Sequence, residues 1–114
     1  MDVFSPNGDL LKRLASRGTL NSPWAVTLAP STFGAFAGDI LVGNFGDGRI
    51  NAFKPTTGRF VGQLPSSHGA ITIPGLWGLR FPTGSLNVTP NALYFTAGPN
   101  DEADGLLGDI TPAA

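Results

Sequence analysis

The chain has 114 residues, of which 41% are apolar and 13% charged, and its formal net charge is −1. That length is one ordinary domain with enough apolar side chains for a core. A near-neutral chain without clustered Lys and Arg excludes nucleic acid and anionic membrane surfaces as partners.

The predicted elements are strands joined by turns. Asp2 to Ser5 and Asp9 to Leu14 form a hairpin around Pro6-Asn7-Gly8, where Asn-Gly is a strong two-residue turn signal. Leu10, Leu11 and Leu14 also fit one face of a helix, but the repeat described below assigns this stretch to a strand. Trp24 to Ala29 is an apolar strand between two prolines, and Ser31 to Gly38 is a loop of small residues. Ile40 to Asn44 is a β-branched run that ends at the tight turn Gly46-Asp47-Gly48. Arg49 to Phe53 and Arg59 to Leu64 form a second hairpin around Pro55-Thr56-Thr57-Gly58, and Pro65 to Ala70 is a loop. Leu76 to Phe81, Leu93 to Ala97 and Leu106 to Thr111 are the last strands.

The chain repeats itself. Pro23-Trp24-Ala25-Val26-Thr27-Leu28-Ala29-Pro30 returns as Gly75-Leu76-Trp77-Gly78-Leu79-Arg80-Phe81-Pro82, with the two tryptophans 53 residues apart. Leu41 precedes Tyr94 by the same 53 residues. The segment from Phe4 to Leu14 matches Phe53 to Leu64 with one residue inserted. A period near fifty residues in a glycine-rich β sequence is the pattern of propeller blades. The predicted fold is therefore all-β, made of four-stranded antiparallel blades at about two and a half blades per chain.

With strands lettered a to d from the axis outward, the order is c-d, a-b-c-d, a-b-c. Residues 1–20 are a c-d hairpin, 21–70 a blade and 71–114 an incomplete blade, in a single partial domain. Each blade packs both faces against neighbours, so an end blade is expected to expose an apolar face. Covering such a face is worth on the order of ten kcal/mol before entropy costs. The ring is then completed by oligomerisation or by missing chain. A homo-oligomer satisfies the need, with three chains counted at two blades each giving six blades as the expected form. A piece cut from a longer protein fits the same strand count.

Three segments carry a family resemblance: Asp39 to Phe53, Gly75 to Phe81 and Leu93 to Leu106. They resemble the C-terminal part of an uncharacterised bacterial family of β-propellers with NHL-like repeats, some of whose members carry a signal peptide and a PEP-CTERM sorting tail. The resemblance runs through nearly all of this chain but only the last third or so of a typical member. It implies the propeller fold, and export in the parent family, but no activity and no catalytic residues. The upstream blades and the export signal have no counterpart here.

The chemistry is sparse. No cysteine is present, which removes disulfides, thiolate catalysis and cysteine metal sites. No apolar run reaches the length of a membrane helix, and Met1-Asp2-Val3-Phe4 lacks the pattern of a secretory signal. All seven basic residues precede Phe81, whereas Asp101, Glu102, Asp104 and Asp109 follow it.

Asn100, Asp101, Glu102 and Asp104 form the candidate metal loop, with Ca2+ as the ion that oxygen ligands suit. Thr111 stands where a bidentate Glu belongs, so a solvated turn is the competing reading. His68 is the single histidine, in a loop, with no dyad to argue for. Trp24 and Trp77 are candidate ligand-stacking residues, although their matched positions favour packing between blades. Arg80 replaces Thr27 in the repeat and is a candidate anion-binding residue beside the central channel. The expected function is a non-enzymatic binding or scaffold module that self-associates into a closed propeller. The alternative is a metal-assisted propeller hydrolase or lyase, with acids and Arg80 at the central channel.

Overall fold

A computed structural model describes residues 1–82 and 91–112. The remainder of the expected incomplete blade, at 83–90 and 113–114, lies outside the described residues. Among the described residues the protein is all-β, with several small antiparallel sheets and no α-helix. Among the described residues the sheets do not close into a barrel or a ring.

The first sheet is the hairpin of β1 (Asp2–Phe4) and β2 (Leu10–Arg13). The helical spacing of Leu10, Leu11 and Leu14 is overridden there by the turn and by cross-strand pairing. Asp2 and Arg13 close the open end at 2.7 Å. The Arg13 hydrogen bond holds the Asp2 carboxyl below its ordinary value of 3.8.

The second sheet has four strands in sequential order: β3 (Pro23–Leu28), β4 (Ile40–Asn44), β5 (Ile50–Phe53) and β6 (Phe60–Gln63). The loop between β3 and β4 holds one 3-10 turn at Gly34–Phe36. Pro65 to Ala70, expected as a loop, forms a minimal ladder of β7 (Pro65–Ser66) and β8 (Gly69–Ala70). The last sheet has three strands in order: β9 (Leu76–Arg80), β10 (Leu93–Ala97) and β11 (Leu106–Ile110).

The repeat preserves register as well as strand type. Thr27 opposes Leu41 in the four-stranded sheet, and Arg80 opposes Tyr94 in the three-stranded one. Likewise Phe4 opposes Leu10 and Phe53 opposes Phe60, each beside a bulge.

Residues opposite each other on antiparallel strands share a face. Ala25, Thr27, Leu41, Gly43, Ile50 and Ala52 thus line one face of the four-stranded sheet. β9 packs on that face, beside β3 and β4. Small residues let the sheets approach, since a Cβ on Gly43 would stand 3.1 Å from Leu76 and Leu79. Leu41, Ile50, Leu76 and Leu93 are the buried centre of the resulting core.

The opposite face carries Val26, Leu28, Ile40, Val42, Asn51 and Phe53. The segment after β2 covers its outer half. The Thr19 carbonyl accepts from the buried Asn44 and Asn51 side chains at 2.8 and 3.2 Å, and Gln63 donates to Asn51 at 3.0 Å. The inner half is uncovered, because the hairpin supplies nothing over β3. Val26 is 59% and Leu28 61% exposed.

Candidate functional site

The two tryptophans converge. Trp24 stands at a bulge in β3 and meets Trp77 of β9 edge to face, with ring centroids 4.8 Å apart. Phe45, in the turn after β4, packs on Trp77 at the same centroid separation, tilted by 41°. Trp77 is half-buried between them, whereas Trp24 is 65% exposed.

Trp77 is covered by Phe45 from the preceding sheet, and among the described residues no aromatic ring covers Trp24 on its other side. Trp77 thus packs between the two sheets, and Trp24 meets it along one edge while most of its own surface stays open.

Phe45 was missed as a site residue. The 53-residue shift aligns it with Gly98, and that break in the repeat was the available signal. Gly98 leaves room for the indole, since a Cβ there would stand 3.3 Å from Trp77 Nε1. Gly75 packs still closer, with its Cβ position 2.3 Å from the Gly98 carbonyl oxygen.

Beside Phe45 lies an open cleft of about 430 Å3, lined by Phe45, Pro74, Gly75, Gly98, Pro99, Asn100, Asp101 and Glu102. Asn100, Asp101 and Glu102 all adopt left-handed backbone, with φ of 58°, 55° and 67°. Such a run is costly for residues other than glycine. Asn100 offsets part of the cost by donating from Nδ2 to Asp104 Oδ2 at 2.6 Å. The loop turns because Glu102 N–H donates to the Gly98 carbonyl and Ala103 N–H to that of Asn100. Glu102→Gly is accordingly expected to raise unfolding stability by about 1 kcal/mol, read by thermal denaturation against wild type. An unchanged or lower midpoint would mean that the left-handed residue carries no strain.

The metal reading of this loop gains little. Among the described residues no three His or acidic side chains come together in a group that could hold an ion. The Asn100 amide turns its donor to Asp104, and Asp101 and Glu102 face solvent.

Arg80 stands at the far end of β9 from this loop. It opposes Tyr94, four residues along from Leu76, which opposes Ala97, so roughly 13 Å of strand separates it from the acids. Nor does it share a face with Trp77. It joins Gly78, Tyr94, Thr96, Leu107 and Asp109 on the face of the last sheet opposite Leu79 and Phe95.

That face was expected to be apolar and is mixed. The repeat puts Arg80 where the first copy has Thr27 and Tyr94 where it has Leu41, while Asp109 opposes Tyr94 as Ala52 opposes Leu41. His68 lies in the exposed turn between β7 and β8. A second, apolar cavity of about 190 Å3 beside Phe33, Phe36, Leu64 and Ile110 has, among the described residues, Thr111 as its one polar side chain.

The chain is similar to three uncharacterised proteins of Acanthamoeba polyphaga mimivirus. One is 40% identical over 96% of this chain and 26% of its own length. A second is 38% identical over 96% of this chain and 28% of its own length. A third is 32% identical over 93% of this chain and 19% of its own length. The chain thus spans about a quarter of the length of the curated relatives it matches. No family model matches the chain, and no solved structure matches it.

These relatives correct the resemblance to a bacterial family with NHL-like repeats and sorting tails: the similar proteins are viral. Short glycine-bounded strand patterns recur in unrelated β proteins, and the segments that carried the resemblance consist mainly of such patterns.

Proposed function

We propose that the chain is a non-enzymatic binding or scaffold module built as part of a β-propeller, about two and a half blades long, whose missing blades are supplied by self-association. The observation that carries this reading is the exposed apolar row of Val26 and Leu28 on β3, with Trp24 beside it open over most of its surface. It lies where strands a and b of a preceding blade belong, and the N-terminal hairpin provides only c and d. Several large apolar side chains in a row on an otherwise ordinary surface mark an interaction site. Relatives roughly four times as long have room for several more blades in one chain. Copies of this chain supply the same element, with three copies as the expected ring.

The Arg80 and Asp109 face of the last sheet adds a condition. In a head-to-tail ring it meets the Val26 and Leu28 face of the next copy, so Arg80 and Asp109 must find partners in that seam. Buried charges without partners are costly. Association through this seam is therefore selective as well as apolar.

Light scattering after gel filtration tests the assembly. The expected mass is three times 11.8 kDa. Leu28→Asp, which puts a charge into the seam, is expected to return the chain to monomer with its circular dichroism unchanged. A wild-type monomer at high micromolar concentration, or an oligomer indifferent to Leu28→Asp, sinks the proposal. The metal-assisted alternative has no supporting observation, because Arg80 and the acidic loop lie at opposite ends of β9 and β10.

A further inference from the structure

The ligand of such a binding module is narrowed by the cleft beside Phe45, and this inference rests on the binding reading above. The cleft joins two features that are far apart in sequence. One wall is the ring of Phe45, backed by Trp77 at 4.8 Å. The other is the turn Asn100-Asp101-Glu102, whose left-handed backbone leaves the last two side chains in solvent.

Among the described residues neither Asp101 nor Glu102 is in an ion pair. No Lys, Arg or His lines the cleft. The surroundings reinforce the sign, since no basic residue follows Arg80 in the chain. An aromatic face attracts a cation placed over it, and neighbouring carboxylates attract the same charge. A neutral sugar or an apolar group gains nothing from the second feature. An anion is repelled by it.

We propose that this cleft binds a small organic ammonium ion, its charged head held between the Phe45 ring and the carboxylates of Asp101 and Glu102. The volume of about 430 Å3 accommodates a quaternary ammonium or the end of an alkylamine. The Asn100 to Asp104 hydrogen bond positions the turn, because it ties the loop across the two acids.

Tryptophan fluorescence reads the site, since Trp77 lies against Phe45 and the chain has only two tryptophans. Choline chloride, titrated at constant ionic strength, is expected to give a saturable change. Its neutral isostere 3,3-dimethylbutan-1-ol has nearly the same shape and is expected to bind about tenfold more weakly or less, because only the charge differs. Asp101→Asn combined with Glu102→Gln is expected to weaken choline binding about tenfold, and Phe45→Leu to weaken it severalfold. Should Phe45→Leu fail to fold, the carboxylate variant carries the test, both its side chains being exposed.

Equal responses to choline and the isostere overturn the proposal. So does a larger response to glucose, the absence of any saturable response to choline, or full affinity in the carboxylate variant. Every group invoked comes from one chain. A monomeric mass would therefore sink the assembly without touching this titration, and a flat titration on an intact oligomer would sink the cleft alone.

Discussion

Lys54→Met is expected to lower the unfolding free energy by about 3 kcal/mol, the low end of the range for breaking a buried ion pair. Asp39 is buried, and its Oδ1 accepts from Lys54 Nζ at 2.9 Å. Its Oδ2 has no hydrogen-bond partner among the described residues, so the lysine is the main compensation for a charge removed from water. The low end applies because the Lys54 side chain is 44% exposed and already partly solvated.

Asp39 also fixes the crossing from β3 to β4. Its carbonyl accepts from Ala29 N–H, and its own N–H donates to Phe36. The loss is expected in thermal melts as a fall of about 10 °C for a chain of this size. Adding Asp39→Asn to Lys54→Met should recover much of it, because a neutral amide costs less to bury than a lone carboxylate. If Lys54→Met melts with wild type, the carboxylate is not dependent on its partner and the reasoning fails.

Gly58→Ala is expected to cost about 2 to 4 kcal/mol, the sum of left-handed strain and a backbone clash. Gly58 has φ of +73°, and a Cβ on it would lie 1.9 Å from the Leu14 carbonyl oxygen. Neither atom belongs to a flexible side chain, so the turn between β5 and β6 and the end of the hairpin must separate. Lys12 binds the same turn through the Thr56 carbonyl at 2.7 Å. The damage should concentrate in residues 1–20, where hydrogen exchange would show lost protection before the rest of the chain. Gly8→Ala is the matched control. Its φ is +90°, but nothing lies within 4 Å of the Cβ position, so only the strain remains. Equal losses in the two variants would show that the contact with Leu14 contributes nothing.

Both variants act on features that link sheets to loops, and those links were the least legible part of the sequence. The strands themselves were legible. Turn residues such as Asn7-Gly8 and Thr57-Gly58 interrupt β-forming runs at regular intervals, and each run became a strand whose bounds match or shift by one residue. At Leu10 to Leu14 helical spacing and the repeat disagreed, and the repeat gave the right answer because cross-strand pairing overrides weak local preference. The short ladder at Pro65 to Ala70 was missed because two-residue strands leave no periodicity to read.

The candidate site divides in the same way. That Trp24 and Trp77 occupy matched places was written in the repeat. That one is half-covered and the other open was not, since coverage depends on whether another sheet supplies a counterpart of Phe45. The pairing of Phe45 with the Asn100 to Glu102 turn spans more than fifty residues and has no local signature. Arg80 breaks the repeat in the sequence, but its spacing from Trp77 along a strand puts it on the opposite face, away from both the indoles and the acids.

By itself, then, the sequence determined the all-β class, the turns, and a repeat accurate enough to preserve register, because these depend on neighbours along the chain and on a side-chain period of two. The tertiary structure alone decided which faces are covered, where Asp39, Asn44 and Asn51 find partners in the interior, and that an aromatic ring and two carboxylates share one cleft. Those outcomes depend on how sheets stack, and stacking is set by contacts between residues far apart in the chain, such as Gly43 with Leu79 and Gly75 with Gly98.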